Sequence, residues 1–261
     1  MQIQGDNPVI DELLQGKDEI IFNLVQLIRG AKGARLFTDG KSYLAAQGNI
    51  EAPLWLYMNE IVDERAVFEI LSQAIEETGR LFVNAQAEYA QGTLTRFAQE
   101  NGLKLSKREP LNAYFIKEVR SVAPVGKMIA STGHEETIAT LIQEAATDDN
   151  DGELTDEQAM QFAKAHANSG NLFLWEDGGV TSMARVVRYG RYARLTSIVT
   201  ERARRGKGYA KMLVGELAGR LLLGGLTPVL YARSENPSSN RCYQGIGFEK
   251  AGEITEFKLE K

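Results

Sequence analysis

Residues 204–210 read RRGKGYA. Three cations and two glycines stand ahead of a helix-like stretch, in a chain whose formal net charge is −5. A glycine-rich turn lets backbone N–H groups come close to a ligand, and a helix N-terminus favours negative charge. Together they make a cradle for phosphate. The flanks suit that reading. RLTSIVT (194–200) reads as a strand before the turn. A helix follows from about 208 to 223 and stops at Gly224-Gly225, and PVLYAR (228–233) reads as the next strand.

Working outward, the second half alternates helices and strands. HEETIATLIQEAA (134–146) has helical periodicity, and Thr155 with Gln158 opens a helix to about 168 as a capping box. NLFLWEDGGVTSMARVV (171–187) reads as two strands joined at Asp177-Gly178-Gly179. A short helix near 237–245 and terminal strands around 248 and 254–259 complete the half. The first half follows the same order. A hairpin turns at Asp39-Gly40, PLWLYMNE (53–60) is a strand, and 64–78 a helix. RLFVNA (80–85) is a strand, 89–101 a helix, and LNAYFIKEV (111–119) a strand. Hairpin, strand, helix, strand, helix, strand occurs twice, which suggests an internal duplication. RSVAPVGK (120–127), with Pro124 and Gly126, is the expected junction. The expected domains are 1–121 and 122–261.

Composition sets outer bounds. At 261 residues, 43% hydrophobic and 25% charged, the chain suits one large globular domain or two of roughly half the length. The first thirty residues mix acids and lysines with short apolar runs, unlike a secretory leader. No apolar run is long enough to span a bilayer, so no membrane partner is expected. The single cysteine, Cys242, leaves no intramolecular disulfide, and with only His134 and His166 a Cys/His metal site is not expected. The cytoplasm is the expected compartment.

A second motif lies one strand beyond the first: Asn236, Ser239, Tyr243, then Gly247-Phe248, in NPSSNRCYQGIGF (236–248). The pair resembles the GNAT superfamily of acyl-CoA N-acyltransferases. Its signature is Q/R-x-x-G-x-G/A opening the central helix, then N-x-x-(A/S)-x-x-x-Y-x-x-x-G-F. Arg205, Gly208 and Ala210 match the first part. VTSMA (180–184) is similar to the corresponding segment of a GNAT subfamily whose N-terminal half is a degenerate second GNAT fold. The resemblance implies an α/β chain with a mixed α+β sheet, built as two tandem GNAT-like domains, the C-terminal one carrying the acetyl-CoA site. It implies acetyl-CoA as donor, with no metal. The backbone of Arg205, Gly206, Lys207, Gly208, Tyr209 and Ala210 would wrap the pyrophosphate. Ile198 and Val199 would pair with the pantetheine arm, Asn236 and Ser239 would contact the cofactor, and Tyr243 would stand by the thioester sulfur.

Tyr243 is the implied general acid. At a reference pKa of about 10 it is protonated at neutral pH and donates a hydrogen bond to sulfur as charge develops there. The acceptor amine must lose a proton, which at pH 7 costs roughly 4–5 kcal/mol for an amine of pKa about 10.4. RYARLTSIVT (191–200) holds no carboxylate to take it. The base stays open between a water chain, Glu176, and Ser197 orienting a water. Eight cations run from Arg185 to Lys207 against one acid, Glu201. A solvated face accounts for most, with a share expected to meet the CoA phosphates. A nucleic-acid patch would need aromatic platforms, which the sequence alone does not place, so nucleic acid is not the expected partner. The acidic run TDDNDGELTDE (147–157) lacks EF-hand spacing. In the GNAT fold it would border the acceptor site, which hints at a cationic amine, as a small molecule or in a peptide. A non-catalytic acyl-CoA sensor or regulator is the alternative. The oligomeric state is not legible.

Overall fold

The computed structural model describes residues 1–120, 124–148 and 154–261. Part of the expected junction, and the middle of the acidic run, lie outside the described residues.

The chain opens with β1 (Gln2–Ile3) and three one-turn helices, α1 (Val9–Leu13), α2 (Lys17–Ile21) and α3 (Leu24–Ile28). Then come β2 (Arg35–Thr38), β3 (Tyr43–Gln47), β4 (Leu54–Met58), α4 (Glu64–Thr78), β5 (Arg80–Ala85), α5 (Ala87–Glu100), β6 (Lys104–Lys107) and β7 (Leu111–Phe115). The rest holds β8 (Lys127–Ala130), α6 (Glu135–Asp148), α7 (Asp156–Ala167), β9 (Leu172–Glu176), β10 (Val180–Tyr189) and β11 (Tyr192–Thr200). A 3₁₀ turn (Arg202–Arg204) leads to α8 (Tyr209–Leu223), β12 (Thr227–Arg233), α9 (Pro237–Ile246) and β13 (Glu249–Glu260). The class is mixed α/β with open sheets, as the sequence implies.

Two compact units divide these elements, and the division is not a single cut in the chain. One unit holds 1–114, 232–236 and 250–261. The other holds 115–231 and 237–249. The sequence reads two short terminal strands in the second half; instead one strand, β13, runs antiparallel to β5, with Thr255 opposite Ala85 and Glu260 opposite Arg80. The last strand thus belongs to the first unit's sheet. That unit's core is the face of β3–β5 and β13 covered by α4 and α5, through Leu56, Val83, Leu71, Leu94, Phe97 and Phe257.

In the second unit the strand order is β12-β11-β10-β9-β8. One face is covered by α6 and α7, through Ile138, Leu141, Ala159, Ala163, Leu174, Met183 and Val199. The capping box expected at Thr155 and Gln158 is present and opens α7. Alternate positions, Ala184, Val186 and Leu195, are buried on the other face, and α8 packs there against β10 and β11 with residues outside the α6/α7 cluster. That helix ends as the paired glycines predict: Leu226 N–H reaches Leu221 O and Gly225 N–H reaches Leu222 O, a Schellman turn.

The start of this unit is tied to its hairpin. Trp175 Nε1 donates to Val125 O at 2.8 Å, and Gly126 sits at φ +91° with its α-carbon against the next strand. A Cβ there would lie 2.2 Å from Glu176 O and 2.9 Å from Trp175 Nε1. Gly126→Ala is therefore expected to destabilise the protein by about 2–4 kcal/mol, from the backbone strain and the displaced hydrogen bond. Urea unfolding followed by tryptophan fluorescence measures it, and an unchanged midpoint would contradict the packing described.

Candidate functional site

β11 and β12 are parallel neighbours over three residue pairs only, Tyr192 with Thr227, Ala193 with Pro228 and Arg194 with Val229. Beyond Arg194 the ladder stops while both strands continue, β11 to Thr200 and β12 to Arg233. Backbone groups beyond that point lose their ladder partners in each other, and a buried backbone polar group needs one. An extended, amide-bearing ligand fits such a divergence.

Divergence coincides with an irregularity in β11. Between Met183 opposite Val199 and Arg185 opposite Thr196, one residue of β10 faces two of β11, Ser197 and Ile198. Among the described residues Ser197 is the non-glycine residue at positive φ, +49°. Such a bulge turns the local peptide groups away from regular pairing and increases the twist. Ile198 and Val199 therefore lie on the stretch where β11 leaves its parallel neighbour. Val199 buries its side chain under α6 and α7, while Ile198 is half-buried.

After β11 the chain reaches the glycine turn. Gly206 and Gly208 sit at φ +79° and +83°, a region that side-chain-bearing residues rarely adopt, and a Cβ at either would meet nothing within 4 Å. The glycines keep an open space open. Gly208 is the N-cap of α8 and gives no side-chain cap, and the first N–H groups of the helix have no partners within it. Fifteen residues of helix stand behind them. A turn of this geometry and field suits an anion.

Its arginines do not serve that cradle directly. Arg204 donates through Nη1 to Asp177 O at 2.8 Å and pairs with Glu201. Arg205 donates to Thr200 O at 3.0 Å and to Asp148 Oδ2 at 2.5 Å, and Arg202 reaches the other Asp148 oxygen at 2.7 Å. Those bonds from Arg205 and Arg202 hold the Asp148 carboxyl below its ordinary range, so the clamp is intact at neutral pH and is lost only as acid protonates Asp148. The expectation that a share of the basic run meets phosphates narrows to backbone amides and the exposed Lys207. Tyr209 opens the helix from beneath: its hydroxyl donates to Asp177 Oδ2 at 2.6 Å. The hairpin turn expected at 177–179 is therefore the pedestal of the cradle, held by Arg204 and Tyr209 together. Sequence periodicity alone does not reveal that coupling.

Tyr243 lies on α9, buried, with its ring edge-on to Phe248 at 6.1 Å. Ser239 is half-buried one turn earlier. Asn236 is exposed immediately before the helix and groups with the first unit. α9 packs on the first turn of α8, where Lys211 Nζ would lie 3.5 Å from a Cβ at Gly245. Cys242 sits beside that lysine; burial outweighs the lysine charge and pushes the thiol up to about 11, so it is no thiolate at neutral pH. Glu176 is paired with Lys127 at 3.3 Å, on a strand two away from β11. Ala210 follows Tyr209 in the first turn of α8. Among the described residues no group of three or more His, Cys, Asp or Glu side chains is placed to hold a metal ion, and no helix is long and apolar enough to cross a membrane.

Comparisons with known proteins bear on the fold. The family model described as FR47-like protein matches residues 176–257, from the hairpin through the cradle and α9. No curated protein matches the chain. Among solved structures, a GCN5-related N-acetyltransferase from Sphaerobacter thermophilus is similar over 100% of this chain and 95% of its own, with a TM-score of 0.64 at 15% identity. A GNAT-family acetyltransferase from Colwellia psychrerythraea is similar over the full length of both chains, with a TM-score of 0.57 at 15% identity. A tandem GNAT protein of the clavulanic acid biosynthesis pathway is similar over 99% of this chain and 97% of its own, with a TM-score of 0.51 at 12% identity. The fold is that of GNAT acetyltransferases.

The pedestal gives a direct test. Tyr209→Phe and Asp177→Ala should each lower the melting temperature and speed amide exchange at 206–210. The double variant should be no worse than the weaker single, because both remove one bond. Additive losses would show that the bond does not couple the turn to the hairpin.

Proposed function

We propose that the protein is an acetyl-CoA-dependent N-acetyltransferase with one active site, in its second unit, acting on a primary amine by direct transfer within a ternary complex. The observation that carries this reading is the pairing of a glycine-lined helix N-terminus with the divergence of β11 and β12. One end suits a pyrophosphate and the other an amide-bearing arm. When bound, acetyl-CoA supplies an acetyl group activated as a thioester. The chain's own residues bind and orient it. The amides of 205–210 take the pyrophosphate, the β11 backbone at Ile198 and Val199 pairs with the arm, and Ser239 adds a contact at α9. Tyr243 donates its hydroxyl proton as a hydrogen bond to the sulfur as charge develops there. With Glu176 paired to Lys127, a water bonded to the β11 backbone or Ser197 is the proposed proton acceptor.

The first unit is proposed as a degenerate copy that shapes or supports the second. Its equivalent helix, α4, is capped by Asp63, whose carboxylate accepts from Arg65 N–H at 3.1 Å. That donor would otherwise face an anion. Glu64 sits in the same first turn, bonded to Thr93 and Arg96. Like charge there opposes phosphate by about 1 kcal/mol per pair at 4 Å in water and more at lower dielectric. Phe97 is buried against Phe68 at 5.2 Å and has no proton to give.

Calorimetric titration of the full chain with acetyl-CoA should give one site, and Gly208→Ala should weaken binding at least tenfold in a folded variant. A stoichiometry of two, or unchanged affinity, contradicts the assignment. Tyr243→Phe should lower kcat by roughly ten- to a thousandfold with little change in acetyl-CoA affinity. A non-catalytic sensor would instead bind acetyl-CoA tightly and release no CoA with any amine in a panel.

A further inference from the structure

The basic run from Arg185 to Lys207 resolves into two kinds of arginine. Arg188 donates to Asn171 Oδ1 at 2.6 Å, Arg191 to Tyr192 OH at 3.1 Å, and Arg202, Arg204 and Arg205 are committed as described. Arg185 and Arg194 differ. Among the described residues neither side chain has an ion pair or a hydrogen bond, and the Nε of each is sealed from solvent without an acceptor. Buried polar groups are nearly always satisfied, and a charged donor left bare carries the full desolvation cost. A sealed guanidinium Nε without an acceptor asks for an explanation, and two on one face ask more strongly.

Their placement supplies one. Arg185 lies opposite Thr196 and Arg194 opposite Val187, so the two are diagonal neighbours on one face, with backbones about 7–8 Å apart. That face carries Met183 and Val199 under α6 and α7. Arg194 is the last residue of β11 to pair with β12, and its guanidinium lies over the Tyr231 ring at 5.6 Å. The pair therefore stands where the strands part. Burial and the charge of Arg194 weaken the hold of Arg185 on its proton, and burial together with Arg185 lowers His166 on α7. Two cations repel each other across a partly dry space that among the described residues holds no compensating anion.

We infer that Arg185 and Arg194 form a carboxylate-binding site, and that the acceptor is a small amine bearing a carboxylate, such as an amino acid. Planar guanidinium forks match a carboxylate with two parallel hydrogen bonds. A carboxylate held there sets a nearby amino group at the mouth of the divergence, where the thioester is proposed to lie. The sequence hint of a cationic acceptor is drawn from the acidic run, whose Asp149, Asp151 and Glu153 lie outside the described residues. Asp148 at its start is held by two arginines, and Asp156 accepts from Gln143 at 2.8 Å. The identity of the ligand as an amine acceptor rests on the acetyltransferase reading; the anion site does not.

Two measurements separate them. Isothermal calorimetry of the full chain with N-acetylglycine, N-acetyl-L-leucine and N-acetyl-L-phenylalanine, each beside its amide, tests the site without turnover. The acids should bind at least tenfold tighter than the amides. Arg185→Gln and Arg194→Gln should each erase that difference, while Arg188→Gln keeps it and circular dichroism shows all three folded. Equal affinity for acid and amide, or a preference that survives both substitutions, would overturn the inference. Release of CoA from acetyl-CoA with the free amino acids and their amides then tests the acceptor. A carboxylate preference seen in KM and lost in Arg194→Gln supports it, and faster turnover of the amides overturns it. Acid binding with no CoA release by any amine leaves the anion site standing and removes the acetyltransferase reading.

Discussion

Three residue pairs hold β11 to β12, and then the strands separate. Most of the second unit is arranged around the cost of that separation. A parallel ladder that stops inside a sheet strands N–H and C=O groups that water reaches poorly. The bulge at Ser197 turns some of them aside, and its positive φ is a strained conformation for a residue with a side chain. The α6/α7 layer on one face and α8 on the other hold β11 in place where it no longer has β12 beside it.

The same economy explains the loop after β11. Residues 201–208 contain two glycines at positive φ and would be soft if left to themselves. Arg204 and Tyr209 pin the loop to the 177–179 turn, and Arg202 and Arg205 pin it to the end of α6 through Asp148. The arginines that look in sequence like phosphate ligands act here as fasteners. A preorganised turn presents its amides without having to order them on binding, which is how a loop with little side-chain contact acquires affinity.

How much of this is legible in the sequence depends on the range of the interaction. RRGKGYA and the strand before it specify strand, turn and helix locally, through glycine conformations and apolar periodicity. The Thr155 capping box, the Asp177-Gly178-Gly179 hairpin and the Gly224-Gly225 stop are equally local, and each forms where its residues say. Residues 249–260 are different. Their alternation marks a strand but carries no address, and pairing with β5 is settled by contacts more than 160 positions away in the chain. The partners of charged side chains are also long-range. Arg205 and Arg194 look alike in the sequence, yet one finds Asp148 and the other finds no anion among the described residues.

The two units show how small a change separates a cradle from an ordinary helix start. Both place a helix of fifteen residues directly after a strand that has a parallel neighbour. At α8 the N-cap is a glycine, whose lack of a side chain leaves the donors open. At α4 it is Asp63, whose carboxylate occupies a donor and brings its own negative charge. An aspartate cap stabilises the helix by about 1 kcal/mol over an alanine start, and a glycine cap gives up only a few tenths of that. Stability and anion affinity draw on the same orphan N–H groups, so a helix end satisfied by its own side chain has less to offer a ligand. The first unit's turn is satisfied from within, while the second leaves its donors pointing at space that its glycines keep clear.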